Sequence, residues 1–284
     1  MQREKKARLD IENELRQAIE RKEIFLHYQP IVELDTGKLS SLEALVRWNH
    51  RRLGIIGPLE FVAIAEETGM VVPIGKSILK MACQQMATWR QRFPAFKDVR
   101  VGVNVSSKQF SDSALVGDVV EVLSASKLDP DALTIEITES MMMENPSEAT
   151  NLLQDLRSRG VRIAVDDFGT GYSSLASLHQ LSLDVLKVDQ SFVTNMLQSS
   201  ENTAIVRTIL SLAENLGLDA VAEGIETREQ RLQLQSMGCQ MGQGYLFSKP
   251  LSIQEVEYLF DSDSPPRFES ENKLAEILAT SSDV

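Results

Sequence analysis

VRIAVDDFGTGYSSL, residues Val161–Leu175, is a strand-like run that ends in two adjacent carboxylates, Asp166 and Asp167, and passes at once into a loop of small residues, Phe168-Gly169-Thr170-Gly171. Neighbouring side chains on a strand point to opposite faces, so two adjacent aspartates at a strand end cannot both be core residues. Like charges this close repel, and a cation between them is the usual remedy. Gly169 and Gly171 permit backbone angles closed to other residues and let the loop fold tightly over a ligand. Taken alone, the stretch reads more readily as an Asp-rich turn with a flexible loop than as a site, so partners elsewhere in the chain have to decide.

Those partners recur along the chain. Phe25–Leu34 turns at Asp35-Thr36-Gly37 into Lys38–Trp48, a connection so tight that the two strands must be antiparallel. In the second strand Ser41, Glu43, Leu45 and Arg47 share one face. Val99–Ser106 sets Asn104 opposite its valines, and Leu133–Thr138 sets Glu136 opposite Leu133, Ile135 and Ile137. Val185–Asp189 puts Lys187 in a strand core, where lysine is rare without a task. Asp219–Ile225 carries Glu223, and Met241–Phe247 carries Gln243. Helical patterns fall between them at Leu59–Glu67, Ile74–Arg92, Asp112–Ser126, 146–159, Asn202–Leu216 and Arg228–Ser236.

Strands alternating with helices predict an α/β fold, a parallel β/α barrel, with its site at the C-terminal ends of the strands. Glu43, Asn104, Glu136, Asp166, Asp167, Lys187 and Glu223 come from six strand-like runs, and this many inward acids require metal ions. Oxygen-only ligands select magnesium or manganese over zinc. Two such ions, ~3.5–4 Å apart, suit in-line hydrolysis of a phosphate ester. No GxSxG elbow, Walker P-loop or HExxH is present.

Composition agrees. In 284 residues, 29 basic and 41 acidic side chains leave a net charge of −12, which argues against an extended nucleic acid or an anionic membrane surface as partner. Cys83, Cys239 and the three histidines fall in no zinc-like spacing, and a reducing cytoplasm fits. No run approaches the ~20 apolar residues of a membrane span. Residues 1–22 read as a linker with a lead-in helix over Leu9–Lys22, 23–261 as the barrel, and 262–284 as a linker-like tail with an apolar patch at Leu274–Leu278.

Glu43-Ala44-Leu45 with Arg47-Trp48, NVS at Asn104, EITES at Glu136, DDFGTGYSSL, LKVD, VAEGIE and QGYLFSKP, in this order over about Leu9–Leu259, resemble the EAL-domain cyclic di-GMP phosphodiesterases of bacteria. The resemblance implies a TIM-like (β/α)8 barrel with one antiparallel strand, and hydrolysis of cyclic di-GMP to linear pGpG. By motif, Glu43, Asn104, Glu136 and Asp166 would hold one metal, and Asp166, Asp167 and Glu223 the second. Lys187 would orient the attacking water, with Gln243 beside it. Gln29, Leu45, Arg47, Asp189, Glu226 and Pro250 would meet the nucleotide. Mg2+ or Mn2+ would support turnover, whereas Ca2+ would bind without it. Gln190, where the family often has arginine, is expected outside the site.

Members of the family commonly pair through the region after DDFGTG, so a homodimer is expected through Leu175, Leu178 and Leu181; packing of that helix on its own barrel is the alternative. Glu139 falls out of phase with Glu136, and the resemblance makes it an anchor for the glycine loop through a backbone N–H or the Thr170 hydroxyl. An exposed surface glutamate is the alternative there. The absence of GGDEF and the charged start imply a missing upstream sensory or cyclase domain in a cytoplasmic signalling protein. A receptor that binds cyclic di-GMP without cleaving it remains the second functional class.

Overall fold

Gly37 takes a left-handed φ of 68° and donates its N–H to Glu33 O at 2.9 Å, so the Asp35-Thr36-Gly37 turn folds the chain sharply back on itself. Strand β1 (Ile24–Glu33) therefore lies antiparallel to β2 (Leu39–His50), with Gln29 opposite Glu43. The structure, a computed structural model, describes residues 11–260 except 13, 19 and 172–180, together with 267 and 268. A three-residue strand, β3 (Gly54–Ile56), pairs with the end of β2 and lies outside the main ring.

The ring continues through β4 (Arg100–Asn104), β5 (Leu133–Thr138), β6 (Arg162–Phe168), β7 (Val185–Val188), β8 (Asp219–Ala222) and β9 (Met241–Gln243). From β2 to β9 each strand pairs in parallel with the next in the ring, and β1 closes it with antiparallel partners on both sides. The result is a closed barrel of eight strands with one reversed, as expected, plus β3. Helices cover its outside and bury one face each. Ser200–Leu216, for example, is capped by the Ser199 side chain, ends at Gly217 with φ 68°, and buries Val206, Ile209, Leu210 and Ala213.

The interior is layered by the two-residue period of the strands. Ile31, Ala164, Val185 and Val221 form a separate apolar layer, with Met241 against it. Ala164, Val185, Val221 and Met241 each precede a site candidate by two residues: Asp166, Lys187, Glu223 and Gln243. These four strands each contribute an apolar side chain to the floor and a polar one above it, whereas Ser41, Gly102 and Thr134 stand two residues below Glu43, Asn104 and Glu136.

Several boundaries differ from the sequence reading. β9 stops at Gln243 rather than running to Phe247, because Gly244–Phe247 turns onto the loop at Ile225: Ile225 N donates to Gln243 O and Leu246 N to Ile225 O. The short helices Ser107–Phe110, Glu139–Glu144 and Gln190–Asn195 span too few residues to show a helical period, and Ile253–Phe260, absent from the sequence reading, buries Val256, Leu259 and Phe260. Leu175, Leu178 and the patch at Leu274–Leu278 lie outside the described residues. Leu181 is buried in the chain's own core, so it does not belong to an exposed apolar face. Phe268, beyond the expected barrel boundary, is also buried, and its N–H donates to Gly37 O.

The lead-in segment packs rather than dangles. Leu15 and Ala18 are fully buried beside Trp48, Phe61 and Ile74, and Glu14 bridges His50 Nε2 and Arg52 on the β2–β3 hairpin. Leu15→Ala is expected to cost about 2–5 kcal/mol of folding stability through the cavity it leaves, measured as a lowered midpoint in urea titration; an unchanged midpoint would mean that the helix is not part of the folded unit.

Candidate active site

Asp166 and Asp167 depart from strand alternation, and the reason is a β-bulge. Val165 pairs with Leu186 and Phe168 with Val188, so both aspartates face the single residue Lys187. Asp167 takes a left-handed φ of 53°, uncommon outside glycine though aspartate tolerates it better than most, and its N–H donates to Asp166 Oδ1 at 2.9 Å. Asp166 is half-buried and Asp167 exposed, so the two are not both core residues, as expected, and the bulge turns both carboxylates toward one site. Oxygens of Asp166, Asp167 and Glu223 all lie within 4.8 Å of one another.

Opposite the bulge, Lys187 is 1 % exposed and its Nζ lies 2.7 Å from Glu223, 2.8 Å from Glu136, 3.1 Å from Asp166 and 3.5 Å from Glu43. Burial works against its charge, but the four carboxylates outweigh it and hold the ammonium well above the usual lysine value. One cation does not neutralise so many acids. Burial pushes Glu136 up to about 8, against the pull of Lys187 and with added repulsion from Glu43 and Asp166. Glu223 is likewise raised well above the carboxylate range by burial. Asp167, at the rim, is raised to about 6 by partial desolvation and by Asp166 and Asp189.

The remaining candidates surround this cluster. Asn104, at the end of β4, donates Nδ2 to Glu43 Oε1 at 2.7 Å. Gln243 donates Nε2 to Glu43 Oε2 at 2.8 Å and to Gln29 Oε1 at 3.1 Å, and its buried Oε1 has no protein partner among the described residues. Gln29, Glu43, Asp166, Glu223, Glu226 and Gln243 line a cleft of about 250 Å3. Leu45 borders an apolar hollow beside Asn104, and half-buried Arg47 donates to Val46 O. Pro250 precedes Leu251, which pairs through its backbone with Tyr28 on β1. Asp189 is buried and caps the helix Gln190–Asn195 by accepting from Ser191 N and Ser191 Oγ. One of its carboxylate oxygens is therefore engaged within the protein.

Glu139 is buried, not exposed, and its Oε2 accepts from Gly169 N at 3.0 Å and Gly171 N at 3.4 Å. The Thr170 hydroxyl donates instead to Asp167 O at 2.9 Å. Gln190, expected outside the site, lines the cleft together with Gly224 and Tyr245. Its signal was Gly224, where a Cβ would lie 2.6 Å from Gln190 Cβ: the glycine of VAEG is what lets the helix after Asp189 approach.

The donor set fits divalent metal. Two groups of carboxylates, Glu43 with Glu136 and Asp166, and Asp166 with Asp167 and Glu223, each bring oxygens within 4.8 Å of one another and share Asp166. All donors are hard oxygens, and the raised acids mark negative charge that a cation would relieve.

Residues 12–250 match the EAL domain family. The chain is 40% identical over 248 residues to the bifunctional diguanylate cyclase/cyclic di-GMP phosphodiesterase MucR of Pseudomonas aeruginosa, covering 87% of this chain and 36% of the relative. It is 40% identical over 264 residues to the cyclic di-GMP phosphodiesterase NbdA of the same species, covering 91% of this chain and 34% of the relative. The structure of the PaMucR phosphodiesterase in complex with c-di-GMP superposes with a TM-score of 0.84 at 38% identity, over 87% of this chain and 99% of that one. The chain thus spans about a third of the length of the curated relatives it matches.

Between its ordinary value of 4.5 and about 8, Glu136 holds a proton in the folded metal-free chain that the unfolded chain has released. Stability contributed by this group is therefore lost as pH rises through that window. Thermal unfolding in chelator from about pH 5 to pH 8.5 should show wild type losing stability relative to Glu136→Gln; parallel pH profiles would contradict the raised value.

Proposed function

The chain belongs to the EAL domain family, and on that footing we propose that it is a metal-dependent phosphodiesterase hydrolysing cyclic di-GMP to linear 5'-pGpG. The observation that carries this reading is the pair of carboxylate groups sharing Asp166 opposite a buried Lys187. In it Glu43, Asn104, Glu136 and Asp166 hold one divalent ion, and Asp166, Asp167 and Glu223 the other, with Mg2+ or Mn2+ as the working metal. When bound, such ions supply Lewis acidity at the phosphate and lower the pKa of a water.

The protein's own groups do the rest. Lys187 stays charged, so its Nζ donates a hydrogen bond to the attacking water and aligns it rather than taking its proton. Gln243 Oε1 is an open acceptor for a hydrogen of that water, while Nε2 steadies Glu43. Gln29 and Glu226, from the walls of the cleft, and Leu45, Arg47, Asp189 and Pro250, around it, take the nucleotide. Arg47 suits a phosphate because its fork bonds two oxygens at once. A silent receptor would keep the cleft but has no need of a complete ligand set, and every ligand is present here.

A sensory or cyclase domain is expected upstream, given the third of the relatives' length that this chain spans. We place the protein in the cytoplasm; the homodimer expected from the family resemblance would have to form without Leu181, which faces the chain's own core. The free cysteines Cys83 and Cys239 are compatible with a reducing compartment, and no helix among the described residues is long and apolar enough to cross a membrane.

Purified chain with cyclic di-GMP and Mg2+ or Mn2+ should yield pGpG by chromatography, with Ca2+ supporting binding only. Glu43→Ala and Asp166→Asn should abolish hydrolysis while keeping or raising the melting temperature, because each relieves acid repulsion. Binding without product in every metal would leave the receptor reading instead.

Glu139→Ala removes the acceptor of two loop N–H groups without touching a metal ligand. Lost activity and weaker Mn2+ binding in a folded protein are expected, on the order of 10–100-fold as for other outer contacts of metal sites. Wild-type kinetics and metal affinity would remove the anchor role.

A further inference from the structure

Asn104 is the one neutral donor in the proposed metal site, and it stands at the last position of β4, where the chain leaves the sheet. Two contacts hold the turn behind it. Val105 N donates to Glu136 O at 2.9 Å, which ties the turn to β5. Ser106 then caps the helix Ser107–Phe110 in a reciprocal box: its hydroxyl accepts from Gln109 N at 3.3 Å, while Gln109 Oε1 accepts from Ser106 N at 3.3 Å and lies 3.1 Å from Ser106 Oγ. A four-residue helix has almost no stability of its own, so this box and the burial of Phe110 keep it formed.

Gln109 is itself held from the other side. It is buried, and its amide lies against Gly75 within the helix Val71–Arg92. A Cβ at Gly75 would sit 2.0 Å from Gln109 Nε2, 2.2 Å from Cδ and 2.3 Å from Oε1. Glycine inside a helix costs about 1 kcal/mol relative to alanine, and the close approach of the amide accounts for a glycine at this place. The long helix, the amide, the capped turn and Asn104 therefore form one chain of contacts ending at Glu43 Oε1.

We infer that Gln109, seated on Gly75, is a positioning residue for Asn104: it sets the angle at which the Asn104 amide meets Glu43 and the metal. This rests on the reading of Asn104 as a ligand in a cyclic di-GMP phosphodiesterase. Among the described residues Gln109 makes no hydrogen bond to a proposed metal ligand, and it reaches Asn104 through the Ser106 turn. Glutamate at the same position can accept both Ser106 bonds, whereas alanine can accept neither.

The test compares Gln109→Ala, Gly75→Ala and Gln109→Glu with wild type, by the side-chain amide resonance of Asn104 in the metal-free protein, by Mn2+ titration and by turnover of cyclic di-GMP. Gln109→Ala and Gly75→Ala should shift the Asn104 resonance, weaken Mn2+ binding by about tenfold or more and lower kcat with KM little changed. Gln109→Glu should restore all three. Gly75→Ala gains helix propensity, so it carries the test if Gln109→Ala loses its fold. An unmoved Asn104 resonance with wild-type Mn2+ affinity in Gly75→Ala overturns the proposal, and so does a Gln109→Glu variant as impaired as Gln109→Ala. Should wild type fail to cleave cyclic di-GMP, the hydrolase reading falls, while the metal-free resonance still decides the positioning role.

Discussion

A single ammonium, Lys187 Nζ, lies within 3.5 Å of carboxylates from four other strands or strand ends, and the upper half of the barrel depends on that contact. Four acids brought this close out of water would repel one another strongly, and among the described residues Lys187 is the cation that meets all four. The compensation is incomplete, as the raised Glu136 and Glu223 show. A site left short of positive charge in this way is stable enough to fold and still disposed to take up cations. Beneath it Ala164, Val185 and Val221 pack into an apolar layer two residues below the polar one.

The second constraint is backbone geometry at the end of β6. A regular strand would give the site one aspartate of the pair, and the bulge gives it both. Its cost is a left-handed Asp167, a conformation of the kind that costs on the order of 1–3 kcal/mol and persists only where surroundings enforce it. Those surroundings are visible: the Asp167 carbonyl accepts from the Thr170 hydroxyl, and Glu139 holds the N–H groups of Gly169 and Gly171 from below. Strain at the metal-facing residue is thus balanced by hydrogen bonds one turn further on.

Much of this was legible in the chain before folding. Period-two alternation placed Glu43, Glu136, Lys187 and Glu223 on polar strand faces, and the Asp35–Gly37 turn required the reversed β1. Alternation failed where the backbone ceased to be a strand: at Asp167, displaced by the bulge, and beyond Gln243, where the chain turns onto Ile225. Gln190 was missed for a related reason. Its place in the cleft follows from the close approach that Gly224 allows, a distance between two loops that neither loop encodes alone.

Local pattern by itself determined which face of a strand its acids occupy, that strands alternate with helices as in a β/α barrel, and that β1 runs antiparallel to β2, because these follow from periodicity and turn chemistry. Only the tertiary structure decided that Asp166 is shared by two carboxylate groups, that Glu139 is buried under the glycine loop, and that Gln109 rests on Gly75. Each of these is a contact between segments 30 or more residues apart, set by the register of neighbouring strands and by the tilt of helices against them. No window of sequence contains that register; it exists only once all eight strands have closed the ring.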